Sequence, residues 1–339
     1  SFSYFKLNIH MKLDLKKPKS FAIFVRSAYG DLLMTSPLIN FIKKQNTRHK
    51  ITLFVEEKNS QLVGFMENID ACYRIPSNGN KYLLYIQHGF KNRKNKYDVS
   101  IAAKTGVGTA NGFFPYILGA RIRISYVSNK KRWTDWMINC PISYDDDIYH
   151  KQHYALGVLQ LLDKSINHIS KDIYPKLKII HKKNTKTITI FISVSSNRNT
   201  SQLKNKAIAN ILNQLNHTYG ISAYISTLEN DIEKASDLQS LLSFRSSIKL
   251  THSLKDYLDL IGSVDLCFLG DGGGMHMAAA LGVNQVVLFG QTSTTTWSPL
   301  SDKAIILSDK SDVNNIPTDK ILSALKLTLD KIKSLKVLK

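Results

Sequence analysis

Four clusters of residues have the types and spacing to do chemistry. Asp31 follows an apolar run, Phe21–Arg26, and the turn Ser27-Ala28-Tyr29-Gly30. A carboxylate there can take a proton from an attacking hydroxyl, or it can cap the helix that starts behind it. The second cluster is Gly270-Asp271-Gly272-Gly273-Gly274 followed by Met275 and His276, set between an apolar run and an Ala-rich stretch. Glycines let backbone N–H groups approach a ligand closely, and a helix start presents its positive end to an anion. Asp271 can accept hydrogen bonds from sugar hydroxyls, and His276 can donate to a phosphate oxygen or a hydroxyl. The combination suits an anionic, hydroxyl-bearing ligand such as a nucleotide sugar; a crossover with no ligand would use the same glycines. The third cluster, Gly290–Pro299 (GQTSTTTWSP), offers Thr292 and neighbouring amides to a phosphate, or forms an ordinary Ser/Thr loop. The fourth, Ser193–Thr200 (SVSSNRNT), holds Ser195 and Arg198. Arg198 there either offsets diphosphate charge or is solvated.

These clusters need elements to carry them. Phe21–Arg26, Ile51–Val55, Cys72–Ile75, Tyr97–Ala103 and Arg121–Tyr126 read as strands. Helical stretches alternate with them: one from about Asp31 to Lys44, with Ser36-Pro37 as an internal start signal, then Ser60–Glu67 and Gly112–Leu118. A second series runs through Thr187–Val194, Ile221–Ser226, Ser247–Leu250, Val264–Leu269, Gln285–Phe289 and Ala304–Leu307, with helices at Lys204–Asn216, Asp231–Leu242 and Leu254–Ile261. Strands alternating with helices predict open parallel α/β sheets, and 339 residues predict two domains. The predicted organisation is a polar leader over 1–19, an N-terminal domain over 20–168 and a linker region over 169–186. A C-terminal domain follows over 187–317. An amphipathic helix over 318–339, with Ile321, Leu325, Leu329 and Ile332 on one stripe, is placed to pack back across the domain boundary.

Lysine and arginine outnumber acids 46 to 26, a net charge of +20, so an anionic partner is expected. Basic clusters stand at Lys91–Lys96 and at Lys130-Lys131-Arg132 beside Trp133 and Trp136. They can face a phosphorylated acceptor or an anionic membrane surface, or be solvated loops. No nucleic-acid-binding module is recognisable, so nucleic acid is not an expected partner. No apolar run is long enough to span a bilayer, and the first residues carry no sustained apolar stretch. The three scattered cysteines, Cys72, Cys140 and Cys267, read as free thiols in a reducing cytosol and offer no metal site.

Two blocks resemble glycosyltransferase family 9, the bacterial lipopolysaccharide heptosyltransferases. One is FVRSAYGDLLMTSPLINFIKK, Phe24–Lys44. The more specific one is DGGGMHMAAALGVNQVVLFGQTSTTTWSPL, Asp271–Leu300. The resemblance implies a GT-B architecture: two Rossmann-like domains whose parallel sheets face a central cleft. It implies inverting transfer from ADP-heptose, with no metal or organic cofactor and the nucleotide sugar as substrate. In that reading Asp31 is the catalytic base. Asp271, Gly272, Gly273, Gly274, His276 and Thr292 hold the donor, with Ser195 and Arg198 beside them. Gly272 stands where the family has threonine. Lys104, Arg121 and Arg123 are assigned to the acceptor side, where Lys104–Thr109 (KTGVGT) replaces the family's Gln-Gly-x-x-Lys-Ser. The acceptor implied is a phosphorylated lipid A–core glycolipid, met by a cytoplasmic protein peripheral to the inner face of the bacterial inner membrane. An epimerase of the same architecture, or a non-enzymatic protein that binds anionic lipid or nucleic acid, would share parts of this pattern.

Overall fold

The computed structural model describes residues 13–26, 28–130, 132–149, 151–179, 187–195 and 199–337. Two compact units emerge. Among the described residues, the first comprises 13–26, Met34–Gly64 and Asn68–Ile173. The second comprises Ala28–Leu33, Phe65–Glu67 and the chain from Tyr174 on. The boundary at Ile173/Tyr174 falls inside the stretch predicted as a linker. Residues 180–186 of that stretch lie outside the described residues.

The first unit is built on six parallel strands: β1 (Ser20–Val25), β2 (Lys50–Glu56), β3 (Ala71–Ile75), β4 (Val99–Ala102), β5 (Ile122–Val127) and β6 (Cys140–Ser143). Their order is β3-β2-β1-β4-β5-β6. The second unit repeats this with β7 (Ile188–Ser193), β8 (Ile221–Thr227), β9 (Ser246–Leu250), β10 (Leu266–Gly270), β11 (Asn284–Phe289) and β12 (Ala304–Ser308). Read from its other edge, the order is β9-β8-β7-β10-β11-β12, the same winding. In each sheet the order reverses at the first strand. Helices cover sheet faces, so strands such as Phe21–Val25 and Ile190–Ile192 are apolar on consecutive positions and buried on both sides.

Buried aromatics fill part of the first unit's core, with Phe24 stacked on Phe114 and Phe54 edge-on to both Phe114 and Tyr97. The second core is aliphatic, centred on Ile190, Ile192, Ile225, Leu266 and Val286.

Several elements differ from the sequence reading. The first helix runs unbroken from Tyr29 to Gln45 with Pro37 inside it, so Ser36-Pro37 does not mark a start. A helix at Lys81–Asn92 and strand β6 were not foreseen. Of the predicted leader, residues 13–19 are fastened to the first unit: the Lys19 N–H donates to His49 Nδ1, and Asn46 donates to the Lys16 carbonyl. The helix Thr318–Val337 buries Ile321, Leu325, Leu329 and Ile332 in the core of the second unit, and Lys336 reaches Asp265 there. All three cysteines are free thiols.

Candidate active site

In an open parallel sheet, ligands bind beyond the carboxyl ends of the strands where the strand order reverses. In the second unit this point lies between β7 and β10. The chain leaving β7 supplies Val194 and Ser195. The chain leaving β10 supplies Asp271 and the glycines, then the helix Gly273–Ala280. The predicted donor cluster therefore stands where the winding makes a crevice.

The glycines divide into two kinds. A Cβ on Gly272 or Gly273 would meet nothing within 4 Å. These two face open space and leave their amides accessible. Gly272 is the helix N-cap and contributes no side-chain cap, so the first-turn N–H groups keep their affinity for an anion. The other glycines are spacers. A Cβ on Gly270 would lie 1.9 Å from the Ser201 carbonyl oxygen, and one on Gly290 would lie 2.4 Å from the Thr200 carbonyl oxygen. Both clashes are with backbone. They show Thr200 and Ser201 lying against the ends of β11 and β10. Gly274 abuts Tyr257, whose hydroxyl would stand 2.5 Å from an added Cβ. Desolvation pushes the Tyr257 phenol well above its ordinary range, against a hydrogen bond with Ser193 at the end of β7.

Asp271 and His276 are both buried, at 9% and 3% exposure, and the Asp271 N–H donates to the Leu288 carbonyl. Asp31 is the third residue of its helix, half-buried in the first turn. The segment Ala28–Leu33 belongs to the same compact unit as His276. Within that unit, a Cβ on Gly30 would lie 3.2 Å from His276 Cδ2 and 3.7 Å from Nε2. The residue before Asp31 is thus set against the imidazole. Asp31 lies inside the helix and is not its N-cap; a carboxylate in a first turn is favoured by the helix dipole.

The remaining predicted residues have varied placements. Ser195 is committed locally: its Oγ accepts from the Leu228 N–H, and it also bonds Asp231. Hydrogen bonds first from Lys234 and then from Ser195 hold the Asp231 carboxyl below its ordinary range. Thr292 sits in the loop after β11, where neighbouring Ser293 caps the short helix Thr294–Trp297 by accepting from the Thr296 N–H. Arg198 lies outside the described residues. Lys104 follows β4 at the carboxyl edge of the first sheet, half-buried. Arg121 and Arg123 stand elsewhere. Arg121 immediately precedes β5, on the amino edge of the sheet, and Arg123 is its second residue. Arg123 Nε donates to the Met137 carbonyl, another of its nitrogens donates to the Ala120 carbonyl, and its guanidinium lies 5.5 Å over the Tyr116 ring. Both thus stand away from the carboxyl edge at which Lys104 lies.

Two carboxyl-edge residues were missed. Arg26 follows β1 directly, and Glu56 ends β2. Glu56 and Tyr85 line a small cavity with Lys58, Ser77 and Lys81, and Arg26 hydrogen-bonds Tyr85. The placement of Arg26 one residue past an apolar strand was the available signal. Among the described residues, no group of three or more His, Cys, Asp and Glu is placed to hold a metal ion. No helix among them is long and apolar enough to cross a membrane.

The sequence pattern of glycosyltransferase family 9 (heptosyltransferase) matches residues 88–327, most of the chain. The chain belongs to glycosyltransferase family 9. It is therefore a glycosyltransferase, and its paired parallel sheets are those of the GT-B fold. A family 9 glycosyl transferase from Veillonella parvula superposes with a TM-score of 0.77 at 15% identity, covering 92% of this chain and 97% of that one. The E. coli ADP-heptose lipopolysaccharide heptosyltransferase II superposes at 0.75 with 17% identity over 93% and 99%. E. coli heptosyltransferase WaaC, solved with ADP, superposes at 0.71 with 13% identity over 91% and 99%. No curated protein matches the sequence.

Proposed function

We propose that this family 9 enzyme transfers a heptose, or a closely related sugar, from ADP-heptose to a phosphorylated lipopolysaccharide core acceptor. Transfer inverts the anomeric centre and uses no metal. Asp31 accepts the proton of the acceptor hydroxyl as its oxygen attacks the anomeric carbon. The bond from that carbon to the diphosphate oxygen breaks on the opposite face, and the electron pair leaves with ADP. The first-turn amides of the helix Gly273–Ala280, with His276 and Arg198, stabilise the departing diphosphate, the work a metal would otherwise do. Asp271 and Thr292 bind donor hydroxyls and phosphate. Lys104 serves the acceptor. The net charge of +20 suits a phosphorylated glycolipid, approached by a cytoplasmic protein at the inner face of the inner membrane.

The observation that supports this most is the seating of Gly30 against His276, which couples the segment bearing the proposed base to the uncapped, glycine-lined helix start. Related structures hold ADP in WaaC and an ADP-2-deoxy-2-fluoro heptose in the same enzyme. The test is a donor screen: nucleotide sugars with truncated core acceptors, with and without EDTA, read by mass spectrometry. The expected result is a heptosylated acceptor and free ADP, unaffected by EDTA. Transfer from UDP- or GDP-sugars alone overturns the donor assignment. A new nucleotide-sugar isomer formed without acceptor makes the enzyme an epimerase.

A further inference from the structure

The first unit carries an exposed aromatic surface that the transfer chemistry does not use. Three elements lie side by side: the helix Lys81–Asn92, the helix Thr109–Ile117 and the short turn of helix Asp135–Met137. Two glycines bring them into contact. A Cβ on Gly89 would stand 2.6 Å from Ile117 Cγ2, and one on Gly112 would stand 2.7 Å from the Thr134 carbonyl oxygen. The outward faces are strongly apolar for a surface. Trp133 is 65% exposed, Trp136 61% and Phe90 57%, and Tyr82, Leu83 and Tyr116 are exposed as well. The rings touch in two groups: Tyr82 meets Phe113 at 6.2 Å between centroids and Phe113 meets Trp133 at 6.3 Å, while Tyr116 meets Trp136 at 5.1 Å. The two groups stand on adjacent elements, and so much exposed aromatic surface is seldom left open to water.

The charge around it is one-sided. Residues 81–137 contain eleven lysines and arginines and two aspartates. Both aspartates are engaged with backbone: Asp98 accepts from the Ser20 N–H and Asp135 from the Arg132 N–H. Lys91, Arg93, Lys94 and Lys96 follow the exposed Phe90, and Arg132 adjoins Trp133. Arg123 lies over the Tyr116 ring and so belongs with this surface.

From these features we infer that the surface built by Tyr82, Leu83, Phe90, Tyr116, Trp133 and Trp136 docks the enzyme onto an anionic phospholipid bilayer. Tryptophan and tyrosine suit the headgroup boundary because each joins an apolar ring to one polar atom. Lysine and arginine around them draw the surface to negative lipid over roughly a Debye length, about 8 Å at physiological salt. A protein partner would need a comparably acidic apolar face; the bilayer supplies both properties at once. The inference deepens the membrane association proposed above and rests on that part of the reading alone.

The test is vesicle binding by the full chain. Vesicles containing anionic phosphatidylglycerol should retain at least about fivefold more protein than pure phosphatidylcholine, with the excess lost at high salt. Brominated lipid should quench tryptophan fluorescence. The chain has three tryptophans, so Trp133→Phe with Trp136→Phe should abolish the quenching, and Trp297→Phe should keep it. Trp133→Ser with Trp136→Ser should weaken binding by at least about fivefold while the circular dichroism spectrum is unchanged. Transfer to a water-soluble truncated acceptor by the wild-type chain is the control, because its absence counts against the transferase reading and leaves the docking inference to the vesicles. Equal retention by both vesicle types overturns the inference, as does quenching that survives the double phenylalanine variant. So does a lipid-free dimer that the serine variant dissolves, which makes a second copy of the chain the occupant.

Discussion

Gly30 and His276 are in near contact: an added methyl at Gly30 would press on the imidazole edge at 3.2 Å. His276 is 3% exposed and has little room to yield. Gly30 is also the second residue of a helix, where alanine gains up to about 1 kcal/mol in propensity. The two effects act on different observables. Gly30→Ala should leave the melting temperature unchanged or slightly raised and lower kcat/KM about tenfold, because small displacements of catalytic groups are costly. Unchanged kinetics would show that His276 tolerates the shift.

Gly274 gives a reciprocal test. Gly274→Ala drives a methyl toward the Tyr257 hydroxyl, 2.5 Å away, at the helix start proposed to bind diphosphate. Overpacking of this kind costs about 1–3 kcal/mol. ADP affinity, measured by calorimetry, should fall about tenfold with it. Tyr257→Phe removes the clashing oxygen, so the double variant should recover most of both losses. Additive losses would place the damage elsewhere.

The last helix is fastened by Lys336, whose Nζ lies 2.9 Å from Asp265 Oδ2 and 3.1 Å from the Thr187 carbonyl. The Asp265 side chain is 8% exposed and also accepts from the Thr189 N–H. Lys336→Met leaves a buried carboxylate with its N–H partner only. It should destabilise the second unit by about 1–3 kcal/mol, read as a lower urea midpoint.

Asp70 sets an acid limit. Burial pushes its carboxyl up, but the hydrogen bond from Lys43, the Ile51 N–H and the charges of Lys43 and Lys50 together hold it below the ordinary 3.8. A carboxylate lowered in the folded state stabilises it above the unfolded value and loses that contribution as pH falls through the folded value. Wild-type stability should therefore drop below about pH 4. Asp70→Asn should be less stable at pH 7 and show a shallower acid loss in urea titrations from neutral pH to pH 3.

The two sheets were legible because their central strands are continuous apolar runs between turn residues, and Asp271–His276 was legible because a glycine cluster follows such a run. The helix Lys81–Asn92 was not, since its inward face is Tyr85, Gly89 and Asn92, which gives no apolar period. Gly270, Gly274 and Gly290 make room for Ser201, Tyr257 and Thr200. Such partners come from distant turns, and only the folded chain pairs them.

Asp31 carries the central claim. Asp31→Asn keeps the size of the side chain and removes its basicity. The measurement is ADP binding by calorimetry alongside turnover of the donor that the screen identifies. General-base loss should lower kcat by about 10²–10⁴-fold while the ADP dissociation constant stays within about threefold of wild type. Turnover near the wild-type rate would contradict the account.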